Sequence, residues 1–231
     1  MLEKILEYEE NLFFALNGSN SPFLDRFMWL YSGKAVWIPL AALLVVILLY
    51  KKGWKECLFI VVAIALVVTL CDQFASGLCK PLFTRFRPTH HPDFMDQVDV
   101  VFNYRGGRYG FMSSHAANAF GFATFMAYLF RYWLFGWAIY IWATVTAYSR
   151  IYLGVHFISD VIPGIMVGII FGYLVYRLYK WARVRALQYK TEHQMPSENY
   201  TLKQKRLAVY GIAVTVSVLL LLNSTLTNLL R

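Results

Sequence analysis

The chain has 231 residues, 58% of them apolar and 15% charged, against roughly 25% charged in an ordinary soluble domain. Its charge is lopsided, with 22 Lys and Arg against 13 Asp and Glu, a formal net charge of +9. So apolar a composition excludes a disordered chain and argues against a nucleic-acid binder, because no polar shell remains to carry a basic footprint. It leaves a one-domain integral membrane protein.

In chain order, residues 2–17 mix four Glu with Leu, Ile and Phe at roughly helical spacing. The acids are unlike the basic start of a signal peptide, and the pattern predicts an amphipathic helix lying on the membrane surface. Asn17 to Pro22 break it. Phe23 to Tyr31 form a second interfacial segment. Residues 1–34 are thus expected to be an interfacial N-terminal segment, and 35–231 a six-helix membrane domain with its chemistry in 80–160. Apolar runs at 35–50, 57–79, 113–130, 133–149, 156–176 and 207–222 each approach the ~17–25 residues that a spanning helix needs. The expected fold is all-α, a six-transmembrane-helix bundle. Cys57, Cys71 and Cys79 lie in or beside one run and read as packing residues rather than a disulfide framework.

Lys and Arg in short loops set orientation. Lys51, Lys52 and Lys55 follow the first span, and eight Lys and Arg lie in 177–206. Both segments are expected on the cytoplasmic side, which places both termini and the loops 80–112 and 150–155 outside. With Arg131, the inner segments carry twelve Lys and Arg against three acids, so they hold the entire +9. The outer half is neutral in total, yet Lys80, Arg87 and Arg150 gather there at helix ends.

Three outer stretches carry the chemistry. The first, Lys80 to Pro88, ends the second span. Asp72 lies two turns earlier, an ionisable residue within a span. The second, Gly110 to His115, opens the third span. The third, Ser149 to Asp160, joins the fourth span to the fifth. Lys80, Arg87 and Arg150 are donors only and remain cationic, and three converging cations suit a multiply charged oxyanion such as phosphate. His115 and His156 stand near helix N-termini, where free N–H groups also favour an anion. His156 and Asp160 are four apart, within reach on one helix face. The carboxylate can then orient the ring and leave its other nitrogen free to attack. His115 has no such acid, and suits a general acid for the leaving group. His90, His91, Asp93 and Asp96 show no metal-site spacing and read as a solvated loop. Seven aromatic residues between Phe83 and Phe111, Phe94 among them, read as interfacial anchors or as a rim where a lipid tail enters.

The three stretches resemble the tripartite signature of the type-2 phosphatidic acid phosphatase superfamily, which reads K-x6-RP, PSGH and SR-x5-H-x3-D. Lys80 to Arg87-Pro88 matches the first motif, and Ser149-Arg150, His156 and Asp160 match the third at every spacing. The middle motif departs at Met112 and Ser114 and matches at Ser113 and His115. The resemblance implies a metal-independent phosphatase that needs no cofactor. By that likeness His156 attacks phosphorus and becomes a phosphohistidine, Asp160 orients it, and His115 protonates the departing oxygen. Lys80, Arg87, Ser113, Ser114 and Arg150 surround the phosphate.

The expected function is hydrolysis of a phosphate or diphosphate on an envelope lipid, from the outer face of a bacterial inner membrane. The candidate substrates are undecaprenyl diphosphate, lipid A phosphate, phosphatidylglycerophosphate and phosphatidic acid. The expected partners are that lipid and the surrounding phospholipid, with no nucleic acid. A phosphotransferase would use the same histidine with another acceptor. A lipid or anion transporter would suit Asp72 and the Gly-rich spans, but the six runs show no internal repeat. Gly164, Gly168 and Gly172 recur at intervals of four, as do Ser113, Ala117 and Gly121. These stripes predict close packing of the third and fifth spans, which would bring His115 beside His156.

Overall fold

The computed structural model describes residues 2–93, 95–186 and 200–231. Lys190, Glu192 and Glu198 of the basic inner stretch, and Phe94 of the aromatic loop, lie outside the described residues. Among the described residues every regular element is helical, with one isolated antiparallel bridge between Phe86 and Tyr109.

Helix α1 spans Leu2–Leu16. Leu6, Glu9 and Phe13, spaced by three and four, are buried on its inner face, while Tyr8 and Leu12 are exposed. The inner face thus includes a carboxylate and docks on protein. Helix α2, Pro22–Ser32, starts where Ser21 accepts the Leu24 N–H and Pro22 presets the first turn. The chain then bends by 70° at Gly33 and Lys34 into the Ala35–Leu49 segment, whose regular part is α3, Ile38–Leu49.

Helix α4, Trp54–Phe83, is 30 residues long. Its hydrogen bonding widens to a π-helical turn over Gln73–Cys79. It stops at Thr84, which takes the left-handed conformation at φ 43°. Helix α5, Ser114–Phe130, is capped by Ser113, whose hydroxyl accepts the Ala116 N–H. Helix α6 is Trp133–Tyr152. Gly154, at φ 68°, turns the chain into α7, Ile158–Ala186. A capping box of Thr201 and Gln204 opens α8, Leu202–Leu221, and α9, Asn223–Leu230, follows.

By length and hydropathy α4, α7 and α8 can cross a bilayer, and the bent α2–α3 pair makes up to four crossings. Helices α5 and α6 coincide with the third and fourth apolar runs but fall below that standard. The first has only 17 residues and opens on Ser-His with Asn118 a turn later, and the second draws its apolar character from Tyr and Trp as much as from Leu and Val. Both occupy the middle of the bundle, with α5 packed on α4, α6 and α7.

Helices α5 and α7 meet along the two small-residue stripes. A Cβ on Gly164 would press on the Ser113 carbonyl, on Gly168 it would press on the Ala117 carbonyl, and on Gly172 on that of Gly121. Backbone-to-backbone approach of this kind is open only to glycine. At the far end Arg183 pairs with Glu56, Nε to Oε2 at 2.7 Å and Nη2 to Oε1 at 2.7 Å. The first turn of α4, just after the turn at residues 51–53, therefore lies beside the basic end of α7. Glu56 and Lys80 are 24 residues apart on α4, roughly 36 Å at 1.5 Å per residue, which exceeds the ~30 Å hydrocarbon core of a bilayer.

Candidate active site

The catalytic pair expected on one helix face is built differently. His156 precedes α7, whose first residue is Ile158, and only Asp160 belongs to the helix. Asp160 is the third helical residue, and its Oδ2 reaches back to accept the Phe157 N–H at 3.0 Å, the return half of a capping box. The same oxygen stands 3.5 Å from His156 Nδ1. Both side chains are fully buried. Local helix-start chemistry thus brings the carboxylate to the ring.

Arg87 fixes the other ring nitrogen. Its Nε donates to the Tyr109 carbonyl at 3.1 Å, and its Nη1 donates to the Val155 carbonyl at 3.2 Å and lies 3.3 Å from His156 Nε2. A guanidinium only donates, so in the neutral ring Nε2 is the acceptor and the proton sits on Nδ1, facing Asp160. The free lone pair of the neutral ring is therefore on Nε2, beside the Arg87 guanidinium. Burial first, and then the Arg87, Arg150 and Lys80 charges, hold the imidazole well below its usual value. Arg87 is itself pulled down to about 10 by burial and the Arg150 charge, and stays cationic at neutral pH. Gly110 is required here, because a Cβ at this position would meet Asp160 Oδ2 at 2.9 Å and Arg87 Cγ at 3.2 Å.

The middle stretch joins the other two. The Ser113 N–H donates to the Asp160 carbonyl at 3.0 Å, while its hydroxyl is committed to capping α5. Ser114, at the position where the signature has Gly, accepts a hydrogen bond from Lys80 Nζ at 3.3 Å. Lys80 also donates to Ser76 at 2.8 Å, and Ser76 donates to Asp72 at 3.5 Å. Asp72 is thereby linked to the site as the far end of the chain that holds Lys80. His115 lies within electrostatic reach of His156, Arg87 and Arg150. It opens onto a groove of about 340 Å³ lined also by Lys34, Asp72, Asn118 and Trp142. Arg150 is buried, with its guanidinium bonded to Ser32 Oγ and, at 2.9 Å, to the Tyr104 hydroxyl. Its carbonyl accepts the N–H groups of Val155 and His156, so it shapes the loop that presents the histidine.

Sequence reasoning missed several participants. Arg85 is almost fully buried and bridges Asp160 Oδ1 at 2.6 Å and Glu9 Oε1 at 2.8 Å. Its place among the outer-face cations, two residues before Arg87, was a signal for an anion site and not for a partner of Asp160. Glu9, Ser32 and Lys34 carried none, because their relation to the site is purely tertiary, and Tyr104 was legible only as one aromatic of the 80–112 loop. Among the described residues no group of three or more His, Cys, Asp or Glu side chains is placed to hold a metal ion.

Comparison with known proteins places this geometry. The model of the PAP2 superfamily matches residues 56–183, which contain all three stretches. The chain is 45% identical over 230 residues to a lipid A 4'-phosphatase of Porphyromonas gingivalis, covering 100% of this chain and 97% of the relative. It is 35% identical over 218 residues to a lipid A 4'-phosphatase of Bacteroides thetaiotaomicron, covering 94% and 96%. The crystal structure of Aquifex aeolicus LpxE superposes with a TM-score of 0.56 at 25% identity, over 74% of this chain and 95% of that one. With the clustered cations, the buried histidine–aspartate pair and full-length likeness to lipid phosphatases all in one helical bundle, the chain belongs to the PAP2 superfamily and is an integral membrane lipid phosphatase.

Proposed function

We propose that this protein removes a phosphate from the sugar headgroup of a lipid A-type glycolipid, through a phosphohistidine on His156, at the outer face of a bacterial inner membrane. The observation that supports the mechanism is the geometry about His156, with Nδ1 3.5 Å from Asp160 Oδ2 and Nε2 3.3 Å from Arg87 Nη1, which favours a ring with its proton on Nδ1 and its lone pair on Nε2. The substrate assignment rests on likeness along nearly the whole chain to two lipid A 4'-phosphatases.

In the first step the Nε2 lone pair attacks phosphorus, the P–N bond forms and the P–O bond to the sugar breaks. His115 gives a proton to the departing oxygen. Asp160 stabilises the positive charge that develops on the ring, as the acid of a catalytic triad does. In the second step water attacks phosphorus, His115 takes its proton, and the P–N bond breaks to return the lone pair to Nε2. Charge spread over the phosphoryl oxygens is met by Lys80, Arg87, Arg150 and the N–H groups at the start of α5. The protein's own cations thus supply the electrostatics of phosphoryl transfer.

In this reading the bent α2–α3 pair, α4, α5, α6, α7 and α8 make six crossings, and α1 lies at the outer interface. The basic start of α4 and the Arg183 end of α7 meet at one end of the bundle, while Lys80 and His156 lie toward the other. An excess of Lys and Arg marks the cytoplasmic side, which puts the site outside. The groove beside His115 is lined by apolar side chains such as Val68, Phe122 and Trp142 as well as by Lys34, which suits an acylated, anionic substrate.

The test is phosphate release by detergent-purified protein from a hexa-acylated lipid A, undecaprenyl diphosphate, phosphatidylglycerophosphate and phosphatidic acid, measured side by side in EDTA. Lipid A is expected to show the highest kcat/KM, and His156→Ala to abolish turnover in a folded protein. Preference for undecaprenyl diphosphate would overturn the substrate assignment. Persistent turnover in His156→Ala would overturn the mechanism.

A further inference from the structure

The N-terminal helix ends up inside the catalytic apparatus. Glu9 is 8% exposed and Arg85 2%, and their contact spans 76 residues of sequence. Arg85 donates through Nη2 to Glu9, and through Nη1 to Asp160 Oδ1 and to Ser159 Oγ at 2.7 Å. Glu9 Oε2 accepts the backbone N–H of Ser159 at 2.8 Å, and its Oε1 is bonded to the Ser159 hydroxyl. Glu9 thus grips both Arg85 and the first turn of α7. Phe13 packs against Phe157 in a tilted arrangement with ring centroids 5.3 Å apart, and the Arg85 guanidinium lies 4.6 Å over the same ring. Asn17 extends the attachment by donating to the carbonyls of Tyr152 and Asp99.

We propose that Glu9 is a positioning residue of the active site, holding Asp160 against His156 through Arg85 and Ser159 and cancelling the Arg85 charge. The inference rests on the phosphohistidine reading. Its logic is electrostatic. Asp160 must face a ring that becomes positive in the transition state, yet its other oxygen already binds a cation. With Glu9 on the far side of Arg85, the triad Glu9–Arg85–Asp160 keeps one net negative charge. Without Glu9, Arg85 and Asp160 sum to zero and the ring loses its counter-charge. A buried cation stripped of one partner is also costly, so Arg85 would draw harder on Asp160 and away from Nδ1.

The charged groups that face His156 from its surroundings are Lys80 from α4, Arg85 and Arg87 from the stretch after it, His115 from α5, Arg150 from α6 and Asp160 from α7. Glu9, from α1, adds a carboxylate behind Arg85. In this set cations outnumber carboxylates, so loss of one carboxylate has a clear sign. Glu9→Gln lowers the affinity of His156 for a proton, and with it the basicity of the attacking nitrogen.

The experiment is the pH dependence of kcat/KM for phosphate release from the lipid phosphate that the wild-type protein cleaves best, using full-length protein in detergent. In Glu9→Gln the acid limb, which reports the free enzyme, is expected to move down by about one pH unit and the plateau to fall roughly tenfold. Glu9→Asp should recover part of the plateau. Glu9→Gln/Arg85→Met, which removes both charges and leaves Asp160 alone, should return the limb toward its wild-type position, and it provides the readout if Glu9→Gln does not fold. An acid limb and plateau unchanged in Glu9→Gln, or a double variant whose limb stays displaced, would overturn the proposal. A lower melting temperature with an unchanged limb would reduce Glu9 to a scaffold residue and equally overturn it. These outcomes differ from failure of the phosphohistidine reading, which would appear as turnover in His156→Ala.

Discussion

Asp160→Asn is nearly isosteric, and the structure dictates how the new amide must sit. Arg85 donates to the Oδ1 position at 2.6 Å and can only donate, so the amide oxygen faces Arg85. The NH2 group then takes the place of Oδ2, where it confronts the Phe157 N–H at 3.0 Å and His156 Nδ1 at 3.5 Å. Donors now face donors. The ring can relieve its part by moving the proton to Nε2, but that nitrogen faces Arg87 and must keep its lone pair to attack. Each arrangement leaves a buried donor unsatisfied, about 1–3 kcal/mol, and removes the charge-assisted support of the developing imidazolium, about 1.5–3 kcal/mol. The sum, about 2.5–6 kcal/mol, corresponds to a loss of roughly 10²–10⁴ in kcat. The assay is the initial rate of phosphate release over a range of micellar substrate, with thermal unfolding in the same detergent as a control for folding. A folded Asp160→Asn protein with kcat within threefold of wild type, or a loss confined to KM, would refute this account.

Three further outcomes are expected. The depressed proton affinity of His156 means that the unfolded chain binds that proton more readily. Its contribution to stability is complete above the unfolded value of about 6.5 and is lost as pH falls below it. Melting temperature should therefore decline on acidification through that window, with a shallower slope in His156→Gln. Gly168→Ala sets a Cβ against the Ala117 carbonyl and the Gly121 nitrogen. It should cost about 1–3 kcal/mol of stability and lower kcat by parting α5 from α7, as a melting curve and a rate measurement on one preparation would show. Ser114→Ala removes one of the two hydroxyls that hold Lys80, a loss of about 0.5–1.5 kcal/mol. Substrate titration should show kcat/KM about 3–10-fold lower.

The sequence made local relations legible and long-range ones opaque. The approach of Asp160 to His156 follows from a spacing of four, although the chain achieves it through a helix start rather than along a helix face. The packing of α5 on α7 was readable because Gly164, Gly168 and Gly172 recur with the period of the helix. Helix α1 was readable as a helix, but the burial of Glu9 was not, since an acid at helical spacing looks the same whether it meets water or Arg85. Arg150 shows the same limit. Its motif spacing gives its place beside His156, but Ser32 and Tyr104, its partners in the structure, lie 118 and 46 residues away.

The π-helical turn at Gln73–Cys79 separates two demands on α4. Below it the helix must match the thickness of the bilayer; above it Lys80 must face Ser114. In a continuous α-helix, adding or removing one residue turns everything beyond it by about 100° and shifts it by about 1.5 Å, which would aim Lys80 at lipid. A wide turn can take up such a change by tightening or widening. The membrane-matching part of α4 is thus free to drift in length by single residues as the host bilayer changes, while the catalytic end keeps its bearing. Length variation among related chains should accordingly collect between Trp54 and Cys79 and spare the run from Lys80 to Pro88.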